Sequence, residues 1–172
     1  MTVTAELDVS LKIKQVGNAF GGGPTYEPTL RFAEAIANGT GAGQADLYHI
    51  AERTVADGAN DDVDLAGVLA DALGNSFAAA ELVGFMIINK PAGAGSNTTD
   101  LTVGGGTNPF TGFVGGTAPT IGPLKPGALA MLFASDAAGI GTVTAGTGDI
   151  LRVTNAAGAA NTYQIALLGR SA

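Results

Sequence analysis

The chain has 172 residues, 46% hydrophobic and only 13% charged, which suits one domain plus an arm or a single larger β domain. Its net charge is −7, and its eight Lys and Arg residues come no closer to a cluster than Lys12 and Lys14. That excludes the basic footprint of a nucleic-acid binder and disfavours an anionic membrane surface. Cys is absent, so disulfides, thiol catalysis and Cys-based zinc sites are excluded.

The N-terminus carries the clearest local pattern. Val3, Ala5, Leu7, Val9, Leu11 and Ile13 alternate with Thr2, Thr4, Glu6, Asp8, Ser10, Lys12 and Lys14. Strict period 2 predicts a strand with one apolar face, because a helix would scatter these side chains around its axis. No continuous apolar h-region is seen, so no secretory leader is expected. The Gly-rich stretch 17–24 predicts a flexible linker. Residues 1–24 are therefore read as a strand or arm with its linker, and 25–172 as a β-sandwich domain.

Thr29 to Ile36 fits either a weakly alternating strand or a short helix. Asp46 to Val55 reads as a strand, and the cluster 57–62 as a turn. Asp64 to Leu73 is expected to begin as a strand and become a short helix closed by Gly74-Asn75. Leu82 to Asn89 is the most apolar run of the chain and predicts a central strand. A loop is expected over 91–97, a short strand over Leu101 to Val103, and a long loop over 104–120. Ala128 to Ala134 predicts another buried strand. Asp149 to Thr154 and Tyr163 to Leu168 are expected to pair as a hairpin through the small, polar connection 155–161. About eight short strands with turn signals between them imply an all-β sandwich or jelly roll. No apolar run reaches the ~18–20 residues of a membrane helix.

Residues with chemical potential are few. His49, the one histidine, is read as a half-buried strand residue with a hydrogen-bond partner. Asp57, Asn60, Asp61, Asp62 and Asp64 are oxygen-rich enough to attract calcium, yet they miss the EF-hand spacing and its bidentate Glu. They are read as a solvated turn. Glu27, Glu34, Glu52 and Glu81 lack the aromatic platform a glycosidase would use, and Trp is absent. Gly104 to Gly106 precede no Lys-Ser/Thr and are read as a tight loop rather than a phosphate cradle. Asn38-Gly39-Thr40 and Asn97-Thr98-Thr99 match the glycosylation pattern by chance. No catalytic residue, metal or cofactor is expected.

Three stretches carry a resemblance. They are 38–56, 61–77 and 103–172. Within them stand Asp62-Val63-Asp64-Leu65-Ala66-Gly67, Pro126-Gly127-Ala128 and Thr147-Gly148-Asp149-Ile150-Leu151-Arg152-Val153-Thr154-Asn155. In these the chain resembles small virion proteins of tailed bacteriophages. The resemblance implies a β-sandwich on the phage particle, foremost a capsid decoration (cement) protein on the outside of the head. Its partners would be the major capsid protein and copies of itself, a trimer fitting threefold sites. The competing expectation is a tail or fibre component that contacts the host surface. Candidate interface residues are Val3, Leu7, Val9, Leu11, Ile13 and Phe20 in the arm, with Phe110 and Phe113 in the long loop. The arm is expected either to add a strand to a neighbour's sheet or to serve as the first strand of its own sandwich.

Overall fold

The computed structural model describes residues 2–18, 20, 22–67, 69–90 and 97–172, and among them every regular element is a strand. In chain order the first eight are β1 (Ala5–Lys12), β2 (Gln15–Val16), β3 (Thr25–Tyr26), β4 (Thr29–Asn38), β5 (Gln44–Ala45), β6 (Leu47–Val55), β7 (Asn60–Asp64) and β8 (Leu69–Ala70). Then follow β9 (Ser76–Phe77), β10 (Glu81–Asn89), β11 (Leu101–Gly104), β12 (Thr120–Leu124), β13 (Leu129–Phe133), β14 (Gly141–Thr142), β15 (Ile150–Asn155) and β16 (Asn161–Arg170). The all-β expectation holds. The strands outnumber the expected eight because several are two-residue pairings that alternation cannot reveal.

Two sheets build the body. One runs β13-β10-β16-β6 with β14 against β10, and the other runs β12-β11-β15-β7. Alternation supplies each with an inner face. On β16, Tyr163, Ile165 and Leu167 are buried, and on β15 Leu151 and Val153 are fully buried. These join Phe85, Ile87, Val63, Leu101 and Val103 in one core between the sheets. β10 lies inside its sheet, bonded to β13 on one side and β16 on the other. That is the position its unbroken apolar run Leu82 to Asn89 demands.

Two local expectations change. β15 and β16 do not form a hairpin: β15 pairs with β11 and β7, β16 with β10 and β6. The connection crosses from one sheet to the other, and buried amides hold the crossing. Thr99 Oγ1 donates to Asn155 Oδ1 at 2.6 Å, and Asn155 Nδ2 donates to Ala56 O and Ala159 O. Asn161 Nδ2 lies 3.1 Å from Thr99 O. Two strands with inward-facing apolar sets can face each other across a core as readily as side by side, so alternation does not choose. The short helix expected near Leu73 is absent too. Asp71 Oδ1 accepts from Leu73 N and Asn75 N, so its side chain closes a turn between β8 and β9 in place of helical bonds. Val68 and residues 91–96, most of the loop expected over 91–97, lie outside the described residues.

The third sheet runs β1-β4-β5. Thr29 to Ile36, open between helix and strand in the sequence, is strand. β4 pairs antiparallel with β1 from Ala5↔Ile36 to Lys12↔Thr29, and β2 with β3 continues the pairing. The N-terminal arm is thus one long hairpin reaching from Ala5 to Asn38. The Gly-rich stretch is its turn region, with Gly17 N bonded to Pro24 O at 2.9 Å; Ala19 and Gly21 lie outside the described residues. The hairpin's root is tied to the body. Ile36, Ala45 and Val83 form a small second core. The fully buried Arg170 donates to Gln44 O, Asp136 O, Ala137 O and Glu81.

Candidate interaction surface

Cross-strand register sorts the hairpin into two unlike faces. Val9 stands opposite Phe32 and Leu11 opposite Leu30, with Ile13 next in line on the same face. The other face carries Asp8, Ser10, Lys12, Thr29 and Arg31. There Arg31 grips Asp8 through two hydrogen bonds, at 3.1 and 2.6 Å. Lys12 and Lys14 both approach Glu27. Directly opposed apolar side chains support each other, yet among the described residues this apolar face stays largely exposed. Leu30 is 75% exposed, Leu11 58% and Phe32 50%. From Lys12 to Leu30 no described residue is buried.

The apolar face continues onto the body. At the root, the Phe32 ring meets Phe133 edge-on, with centroids 6.3 Å apart. Beyond it lies the outer face of the β13-β10-β16-β6 sheet. Met131, Met86, Ala166 and Ile50 stand side by side across four strands. Methionines and short aliphatics make this surface adaptable as well as apolar. Between it and the start of the hairpin opens a cleft of about 480 Å³, bounded by Val3, Leu7, Ile36, Tyr48, Ile50 and Leu168 among others. Gly84 lines it as well. A Cβ there would come within 2.9 Å of Leu132 O and of the Phe133 ring, so this close strand approach requires glycine. A second hollow lies farther along the same face, against Glu52, Ile88 and Gln164.

The candidate interface residues separate clearly. Val9, Leu11 and Ile13 are exposed on one hairpin face, and Leu7 is half-buried at the cleft. Val3 is turned inward, 6% exposed, and its N–H donates to Asn38 Oδ1 at 2.7 Å. Phe20 is fully exposed in the turn region. Phe110 and Phe113 lie in the core. Their rings stack at 6.1 Å, and Phe113 meets Phe85 edge-on at 5.5 Å. The loop 104–120 folds back on the body because Phe110 N bonds Ile150 O at 2.8 Å, so neither ring is presented to a partner. Sequence reasoning missed Leu30 and Phe32, the other half of the apolar face. Their signal was the weak alternation of Leu30, Phe32, Glu34 and Ile36, which the nearby Arg and Ala residues masked.

The chemically suggestive residues serve the fold. His49 is buried, its Nδ1 2.7 Å from Ala70 O, with Phe77 beside the ring. Nε2 has no hydrogen-bond partner. The acidic cluster diverges to separate partners. Arg53 binds both oxygens of Asp61 at 2.7 Å, and Arg152 binds both oxygens of Asp62. Asp64 accepts from Ala66 N, and Asp57 from Gly158 N. No group of three or more metal-ligating His, Cys, Asp or Glu side chains converges among the described residues. Of the three consecutive glycines, Gly104 packs where a Cβ would meet Pro119 O, and Gly106 where it would meet the Arg152 guanidinium.

Compared with models of known protein families, with curated proteins and with solved structures, the chain matches none. The class that the structure itself defines is an all-β sandwich bearing a projecting hairpin.

Proposed function

We propose that this chain is a structural protein of a tailed-bacteriophage particle, a capsid decoration (cement) protein that holds the assembled head from outside. The observation that carries the reading is the hairpin, a two-stranded ribbon whose apolar face stays largely exposed among the described residues. A two-stranded ribbon is marginal in water unless a further layer covers it, and apolar patches of this extent mark protein contacts. A protein that works by occupying its neighbours has a use for such a surface. The resemblance of 38–56, 61–77 and 103–172 to small phage virion proteins supplies the setting. Low charge and many small residues suit a molecule that meets protein over much of its surface.

The test is copy number in purified particles, by quantitative mass spectrometry against the major capsid protein. The expected ratio is one per capsid subunit or a simple fraction such as one half. A handful of copies per particle would favour the competing role, a tail or fibre component. Complete absence from particles would remove the virion reading.

A further inference from the structure

The apolar hairpin face and the cleft at its root are two exposed surfaces, and neither covers the other. The hairpin is paired antiparallel from Ala5↔Ile36 to Lys12↔Thr29, and from Lys12 to Leu30 none of its described residues is buried against the sheet. We propose that the cleft of one copy receives the hairpin tip of a second copy, laid apolar face down on the outer face of the β13-β10-β16-β6 sheet. The inference stands on this surface alone and does not depend on the virion reading.

The extent of apolar surface selects a second copy as the occupant. Leu11, Ile13, Leu30 and Phe32 on the hairpin and Ile50 and Leu129 on the sheet are each at least half exposed. Together they offer on the order of 600 Å² of apolar surface, approaching the ~800 Å² per partner of a stable interface before any half-buried methionine is counted. Exchange covers both patches in the same step, because each copy gives a hairpin and receives one. Exchange closes as a pair or as a ring; in either, every hairpin is seated.

The experiment is sedimentation equilibrium of the full chain, followed by site-directed cross-linking. Wild type is expected at a multiple of its 16.9 kDa. Leu11→Asp with Leu30→Asp is expected at the monomer mass, with an unchanged circular dichroism spectrum. Because the chain has no Cys, Leu30→Cys and Ile50→Cys each introduce one thiol. Mixing the two variants with a short bis-maleimide should join tip to sheet between copies, while either alone should cross-link far less. Three results would overturn the proposal: a wild type that stays monomeric into the hundreds of micromolar, an oligomer that survives the double aspartate variant, or cross-linking only between like variants. The first of these, combined with capsid binding, would assign the cleft to a different protein. A seated hairpin with no copies in virions would refute the proposed function while leaving the exchange intact.

Discussion

Asp61 shows how single residues join the two sheets. It lies on β7, while its partners Arg53 and Tyr163 lie on β6 and β16 of the opposite sheet. Arg53 grips both carboxylate oxygens, and the Tyr163 hydroxyl donates at 2.8 Å. Burial pushes the Asp61 carboxyl up, but the hydrogen bonds from Arg53 and Tyr163 outweigh it and hold the group below the usual carboxylate range. Burial, reinforced by Asp61, raises the Tyr163 phenol well above its ordinary value, so it remains a donor. A lowered carboxylate contributes stability that is complete above its unfolded value of ~3.9 and is lost as pH falls through the folded value. Asp61→Asn should therefore cost about 1–3 kcal/mol at pH 7, the usual loss when a hydrogen-bonded charge is removed from buried partners. That gap should narrow below roughly pH 4, where wild type loses the contribution as well. Urea unfolding of both proteins at pH 7 and pH 3 would check it; an equal gap at both would show that charge is not what Asp61 contributes.

The hairpin stands apart from the core. Its cross-strand pairs are worth about 0.2–1 kcal/mol each, and from Lys12 to Leu30 none of its described residues is buried. Replacing residues 12–29 by Asn-Gly would join Leu11 to Leu30, already directly opposed, through a two-residue turn suited to that pair. Compared at a concentration where both are monomeric, the shortened protein should unfold within about 0.5 kcal/mol of wild type, since surface changes away from packing rarely do more. It should also lose self-association and any binding to particles. A large loss of stability would show that the tip supports its own body. Removing residues 1–16 differs, because it strips β1 from β4 and leaves an unpaired apolar edge, a known aggregation hazard.

For the whole molecule, stability resides in the layer between the two body sheets. Ile165 is 1% exposed at its centre, and Ile165→Ala should cost about 2–5 kcal/mol through lost burial and the cavity left behind. Leu30→Ala on the hairpin should cost less than about 1 kcal/mol. Chemical denaturation of the two variants would show whether core and arm are energetically separate. Such a separation would suit the particle protein proposed above, which must fold before it finds its neighbours. It also means that copy number in virions and oligomeric mass test different properties of one surface.

Much of this was legible in the sequence because period 2 is a local property. Alternation from Val3 to Ile13 marked a two-faced strand, and the apolar run from Leu82 to Asn89 marked an interior one. Partners were not legible. Alternation says which face of a strand is apolar, but not which strand lies beside it. So β1 met β4 within the chain, β15 and β16 parted across the core, and Phe110 and Phe113 turned inward. Those outcomes depend on contacts between residues far apart in the chain, on buried amides such as Asn155 and Asn161, and on close approaches such as Gly84 against Leu132. The sequence by itself determined the strand-rich class and the faces. Tertiary structure alone decided that one apolar face, shared by the hairpin and the outer sheet, stays largely exposed among the described residues, because packing had already used the others.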